Sequence, residues 1–277
     1  MQQRISFVGG GNLAASLIGG LIEAGTPAKQ ISVADPSMAS RQRLAKDFGV
    51  QVSDDNCSAC DQADIVVLAV KPQVMASVCE DISDLVTRAQ PMVISVAAGI
   101  DTQTLSRWLD PLAAIVRIMP NTPALIGEGA SGVFANSHVT KDQQAIAMAI
   151  AEAVGVAVWV EDETLMDVVT AVSGSGPAYF FLAIEALQAA AEAQGLAPEV
   201  ARTLAGQTAL GAARLASHSE EPVAELRRRV TSPGGTTEAA LSVLEQGGFR
   251  QLMKDAVSGA VERSRTLSRE LSGKDQA

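Results

Sequence analysis

Read for hydrophobic period, the chain falls into two halves. In the first, short apolar runs alternate with stretches whose apolar residues recur at helical spacing. Ile5 to Val8, Gln30 to Ala34, Val50 to Val52, Asp64 to Val70, Pro91 to Val96, Ala114 to Ile118, Ser131 to Ala135 and Val156 to Val160 read as strands. Leu13, Leu17, Leu21 and Ile22 share one face of a first helix. Further helices are predicted over Met38 to Phe48, briefly before Asp64, and over Thr102 to Leu109 and Asp142 to Val154. Asp64 to Val70 is apolar almost throughout, as in a central parallel strand buried on both faces. Around Glu161-Asp162-Glu163 the pattern changes and no period-2 strand follows. Helices are predicted over Thr164 to Val172, Ala178 to Gln194, Glu199 to His218, Val223 to Val230, Thr237 to Gln246 and Gly248 to Leu271. The breaks between them include Ser173 to Pro177, Gly195 to Pro198 and Ser232 to Thr237; the second is a plain helix connection, with Gly ending one helix and Pro starting the next.

The first turn gives the amino-terminal half its meaning. Strand Ile5 to Val8 meets Gly9-Gly10-Gly11 and passes at once into a helix. That order is the phosphate-binding start of a dinucleotide fold: Gly9 allows the turn, Gly11 lets backbone approach a pyrophosphate, and small Ala14 lets helix pack on strand. The helix start presents free N–H groups and a positive dipole end to the anion. Residues 5 to 22 carry no charge, which superficially suits a signal peptide or a membrane span, but the three glycines and Asn12 would interrupt such a helix. The fold expected is an α/β Rossmann-type nucleotide-binding domain over residues 1–162, followed by an all-α helical domain over 163–277.

Asp35 ends the second strand, where a Rossmann fold places the acid that bonds the adenosine ribose hydroxyls. An acid there favours NADH over NADPH. Ser37, Arg41 and Arg43 follow directly and could meet a 2′-phosphate if the loop turned, so the preference stays open. Lys71-Pro72-Gln73 lies beyond the carboxyl end of a central strand, where ligands of open α/β sheets bind. Ala97-Ala98-Gly99 offers a small-residue strand end that a flat ring can approach. Met119-Pro120-Asn121-Thr122-Pro123 is a polar loop stiffened by two prolines, which either positions a ligand or is simply a rigid turn.

The net charge of −10 argues against nucleic acid or anionic membrane as partner. Aromatic residues are only 3% of the chain, so its cores must be built from close-packed small side chains. No later apolar run reads as long and uninterrupted enough to span a bilayer, and a soluble cytoplasmic protein is expected. Cys57 and Cys60 form a CxxC in NCSACDQAD, without the surroundings of a redox pair, and read as structural; Cys79 reads as a buried helix position.

Acid–base candidates for carbonyl or alcohol chemistry are few: His138, His218, Tyr179 and the lysines. Hydroxyacid dehydrogenases that join a similar nucleotide domain to a helical one carry a catalytic lysine after a glycine-rich helix start. Here SGSGPAYFF has Phe180 at that position. Reducing a C=N bond asks for less, because a protonated cyclic imine is already electrophilic. It needs a hydrogen-bond partner for nitrogen and a seat for a carboxylate. SPGGTTEAA can supply both, through N–H groups of Gly235, Thr236 and Thr237 at a helix start and a threonine hydroxyl. The same stretch also suits a plain N-cap after a Pro-Gly turn.

FVGGGNLA, AVKPQ, MPNTPA, SGSGPAYFF and RRVTSPGGTTEAAL, in this order and spacing, closely resemble the pyrroline-5-carboxylate reductase family, from Ile5 to about Arg265. The resemblance implies reduction of Δ1-pyrroline-5-carboxylate, a cyclic imino acid, to L-proline with NADPH or NADH. It also implies a helical substrate-binding domain that interlocks with a second subunit, in dimers often assembled into decamers. Carried over by motif, Val8, Gly9, Gly10, Gly11, Asn12 and Leu13 form the pyrophosphate loop. Asn56, Ala69, Val70, Lys71, Pro72, Val96, Ala97 and Ala98 line the cofactor cleft, with Asp35 beside them. Ser232, Gly235, Thr236 and Thr237 hold the substrate carboxylate, and the Thr237 hydroxyl serves the ring nitrogen as the catalytic contact. Glu220 matches a position near the substrate, with Glu221 as the competing alignment, and no metal is implied. Asp35 departs from the Ser, Thr or Arg of many relatives. Arg229 could reach a cofactor phosphate from a partner subunit, or belong with Arg227 and Arg228 to a solvated helix face. Two other readings stand beside this one: a related reductase of alcohols or other imines, and a non-catalytic dinucleotide sensor.

Overall fold

The computed structural model describes residues 3–272. Eight strands, β1 (Ile5–Val8), β2 (Ile31–Ala34), β3 (Gln51–Ser53), β4 (Ile65–Leu68), β5 (Met92–Ser95), β6 (Ile115–Met119), β7 (Gly129–Ala135) and β8 (Gly155–Trp159), form one sheet. Its order is β3-β2-β1-β4-β5-β6-β7-β8. Neighbours run parallel except β6 and β7. The antiparallel step has a simple cause: the stretch from Pro120 to Glu128 is too short for a crossover helix, so the chain must return along its neighbour.

The connecting helices are α1 (Asn12–Glu23), α2 (Met38–Phe48), α3 (Asn56–Cys60), α4 (Met75–Ala89), α5 (Thr102–Trp108) and α6 (Lys141–Glu152). Side-chain alternation along the central strands supplies two cores. Ile5, Phe7, Ile65 and Val67 pack with Leu17, Ile18 and Leu21 of α1 and Leu44 of α2. Val8, Val66 and Leu68 face the other way, onto Met75, Cys79 and Ile82 of α4. Several helix starts carry the caps their sequences offer: Ser37, Asp55 and Asp101 accept from N–H groups three residues on, and Thr140 with Gln143 forms a capping box. Burial pushes the Cys60 thiol up to about 11 and the Cys79 thiol up to about 12, so both side chains behave as core residues and not as nucleophiles.

Beyond β8 the chain continues as α7 (Met166–Val169), α8 (Gly176–Ala193), α9 (Pro198–His218), α10 (Val223–Arg229), α11 (Thr236–Gln246) and α12 (Phe249–Ser272). The glycine-rich Ser173 to Pro177, expected as a break, instead continues the helical path. Thr170–Gly174 is a π-turn in which the Ser175 N–H donates to the Thr170 carbonyl at 2.8 Å. Neither Gly174 nor Gly176 takes a positive φ, and Pro177 sits in the first turn of α8, where its missing N–H is not needed. The resulting helical stretch, Glu163–Ala193, is long and apolar enough to cross a membrane by length and composition, contrary to the expectation that no such run exists.

The chain divides into two compact units. One runs to Ser175 and takes in the chain again from Gly259; the other is Gly176–Ser258. Within the first, a buried ion pair fixes the segment after the sheet. The Arg117 guanidinium on β6 donates to Glu163 Oε1 at 2.9 Å, while Glu163 also accepts from the Thr102 N–H and hydroxyl, each at 2.7 Å. Glu163→Ala strands a buried cation and is expected to cost about 3 kcal/mol in urea unfolding, whereas the paired change Arg117→Met with Glu163→Leu costs much less. Equal losses in the two variants would show that the pair is not what holds this segment.

The second unit has almost no interior of its own. On α8 to α11 only Gly176, Ala201 and Ala205 are buried, while Phe180, Phe181 and Leu182 are 65 to 68% exposed. Each such side chain gains about 1.5–3 kcal/mol when covered, so this unit is made to meet another surface.

Candidate active site

The carboxyl ends of β2, β1, β4 and β5 lie side by side and carry most of the residues expected at a cofactor. The sheet order reverses direction between β1 and β4, where open α/β sheets bind their ligands. Gly9 leaves β1 with φ +103° and its N–H donates to the Ala34 carbonyl at 2.8 Å. A Cβ there would lie 2.6 Å from the Ala69 carbonyl oxygen, so only glycine lets the turn pass between β2 and β4. Gly10 is also confined: a Cβ would meet Leu44 at 2.8 Å and Asp35 at 3.2 Å. Gly11 is different. It is the N-cap of α1, has no side-chain cap, and nothing lies within 4 Å of where its Cβ would be. That open space before an uncapped helix start fits a pyrophosphate.

A cavity of about 440 Å³ opens beside this turn. It is lined by Asn12 and Leu13, by Val96 and Ala98 after β5, by Met119 to Thr122 and Leu125, and by Gly174 of the π-turn. The proline-flanked loop therefore lines this cavity, next to the glycine turn. Leu125 and Gly174 had no local signal. The loop is held by Asn121, whose side-chain amide donates to the Ser173 carbonyl at 3.0 Å and accepts from the Ala130 N–H at 2.9 Å. Ala69 and Val70 are half-buried at the end of β4, and Lys71 beyond them is exposed. Val96 and Ala97 are buried. Asn56 starts α3 and donates to Asp81 of α4 at 2.9 Å; it does not line this cavity.

In the second unit, the turn before α11 has the form expected of an anion seat. Gly234 takes φ +70°, its N–H donates to Glu238 Oε2 at 2.7 Å, and the Gly235 N–H donates to the Ser232 carbonyl at 3.0 Å. Gly235 is the N-cap and supplies no side-chain cap. The first helical bond is Ala239 N–H to Gly235 carbonyl, which leaves the earlier N–H groups, those of Thr236 and Thr237 included, outside the helical ladder. Thr237 is half-buried and Thr236 exposed. Glu220 is exposed, whereas Glu221 is half-buried and paired with Arg229 at 2.7 Å. Arg227 and Arg228 are likewise paired, with Glu245 and Glu225. The three arginines thus form an ion-paired face. Arg250 beside Glu245 holds that carboxyl below its usual range. His138 and His218 are exposed; the His138 backbone N–H donates to Asn136 Oδ1 at 3.2 Å, and the His218 ring lies 2.9 Å from the Arg214 carbonyl.

Residues 163–267 match the family model described as pyrroline-5-carboxylate reductase dimerisation, and residues 4–99 match one described as NADP oxidoreductase coenzyme F420-dependent. A pyrroline-5-carboxylate reductase from Pseudomonas aeruginosa is 48% identical over 97% of this chain and 98% of its own length. The chain belongs to the pyrroline-5-carboxylate reductase family. The reductase of Vibrio alginolyticus is 43% identical over 96% of this chain and 98% of its own. Among solved structures, a pyrroline-5-carboxylate reductase from Coxiella burnetii superposes with a TM-score of 0.94 at 45% identity, covering 97% of this chain and 99% of that one. The Plasmodium falciparum enzyme, solved with NADP bound, gives 0.84 at 30% identity, covering 96% and 98%. The protein is accordingly an NAD(P)H-dependent reductase that forms L-proline, the last step of proline biosynthesis. The bare second unit is explained as well: it lies within the matched dimerisation region, and the reductase is a homo-oligomer.

Proposed function

We propose that the reductase divides its reaction between the glycine turn and the turn before α11. Val8 to Leu13 seat the pyrophosphate, Asp35 meets the adenosine ribose, and Asn56, Ala69 to Pro72 and Val96 to Ala98 line the cleft. The cofactor supplies a hydride. Ser232, Gly235 and Thr236 take the carboxylate of the imino acid, and the Thr237 hydroxyl bonds the ring nitrogen, keeping the C=N carbon electrophilic while charge leaves the nitrogen. In this reading Glu220 is the acid near the substrate, supported by the pairing of its neighbour Glu221 with Arg229. The observation that carries this reading is the helix start at Gly235, which has no side-chain cap and follows a glycine turn.

We also read residues 1–162 as the dinucleotide-binding domain and 163–277 as the substrate-binding and dimerisation domain, in line with the dimerisation match beginning at residue 163. The assembly is a dimer, built into a pentamer of dimers, in the cytoplasm. In it a second copy covers Phe180, Phe181 and Leu182, which accounts for the apolar length of Glu163–Ala193 without a membrane. An apolar groove of about 540 Å³ between the exposed face of β8 and α7, lined by Val156, Val158, Leu165 and Val168, is a further surface for that copy. The test is nicotinamide absorbance: Δ1-pyrroline-5-carboxylate should drive oxidation of reduced nicotinamide with L-proline as product, and 2-hydroxy acids should give no reduction of the oxidised form. Turnover of hydroxy acids alone would replace the reading.

A further inference from the structure

We propose that Asp35 makes this reductase select NADH over NADPH. The proposal rests on the seating of the cofactor at the glycine turn. Its carboxylate is a fixed part of that turn: Oδ2 accepts from the Gly10 N–H at 2.7 Å, and Oδ1 accepts from the Ser37 N–H at 2.8 Å. Each oxygen keeps a lone pair for a ribose hydroxyl, which can donate. A 2′-phosphate brings about −1.5 to −2 charges and mainly acceptor oxygens to the same place. The carboxylate cannot turn away from it without releasing two backbone donors, one of them in the pyrophosphate loop.

The groups that could offset this repulsion are already engaged. Arg41 donates to the Asp35 carbonyl at 2.7 Å and the Pro36 carbonyl at 3.1 Å, and its side chain, 18% exposed, also faces Asp54. Arg43 donates to Asn12 Oδ1 at 3.2 Å and to the Gly10 carbonyl at 3.1 Å. The Ser37 hydroxyl is the N-cap of α2, accepting from the Ser40 N–H at 3.3 Å. Both arginines thus brace the loops that carry the turn and Asp35. To reach a second phosphate, either would have to abandon a backbone carbonyl.

The test is direct binding of each reduced nucleotide to the whole protein without substrate, followed by nicotinamide fluorescence. The wild type should bind NADPH more weakly than NADH by at least about tenfold in Kd. Asp35→Ser should shrink or invert that ratio, chiefly by tightening NADPH, and circular dichroism melting confirms that the variant is folded. Arg43→Gln should leave the ratio within about threefold of the wild type, because Arg43 serves the turn and not the 2′-phosphate. Equal or tighter NADPH binding by the wild type overturns the proposal without requiring any variant to fold. An unchanged ratio in folded Asp35→Ser, or a selective loss of NADPH binding in Arg43→Gln, also overturns it. Binding of neither nucleotide would remove the cofactor seat and the proposal together.

Discussion

Gly9→Ala is expected to cost this reductase both its cofactor and several kcal/mol of stability. The backbone at Gly9 sits at φ +103°, and the added Cβ would be driven to 2.6 Å from the Ala69 carbonyl oxygen. The neighbour is strand backbone, which cannot rotate aside like a side chain. Backbone strain and overlap together predict a loss of about 2–5 kcal/mol. Gly11→Ala is the informative partner. Gly11 has φ −69°, ordinary for alanine, and open space where the Cβ would go. That variant should fold with stability within about 0.5 kcal/mol of the wild type yet bind NAD(P)H more weakly, because its methyl group occupies the space left for the pyrophosphate. Denaturant titration and nucleotide fluorescence on both proteins check the pair. Similar behaviour in the two variants would mean that the turn does not separate its structural glycine from its binding one.

Thr237→Ala carries the second large effect. The side chain lies in the first turn of α11, where the cap is Gly235, and no hydrogen bond from its hydroxyl is found within the described residues. Removing it should therefore leave the melting curve almost unchanged. Loss of one hydrogen bond to a nitrogen whose charge changes during the reaction predicts a fall of about 10- to 1000-fold in kcat/KM. The fall should be seen mostly in kcat, since the carboxylate is still held by backbone N–H groups, and Thr237→Ser should recover most of it. Steady-state rates at saturating and limiting imino acid separate these terms. Full activity in the alanine variant would remove Thr237 from the chemistry.

The amino-acid sequence was sufficient for most of what depends on local period, the helical path through Ser173 to Pro177 being the exception. Continuous runs such as Ile65 to Leu68 identified strands buried on both faces, and the glycine turn located the cofactor end of the sheet. These features are legible because burial of a strand or helix face is written into neighbouring residues. Tertiary structure alone decided the partners between distant residues. Asp35 clamps Gly10 across 25 positions, Glu163 binds Arg117 and Thr102 across 46 and 61, and Asn121 reaches Ser173 across 52. Gly174 enters the cavity because a π-turn carries the chain straight through a segment whose glycines and proline suggested a break. Such contacts depend on strand order and helix path, which no local pattern encodes, so a carboxylate read in sequence only as a ribose ligand is in the fold also a strut of the turn.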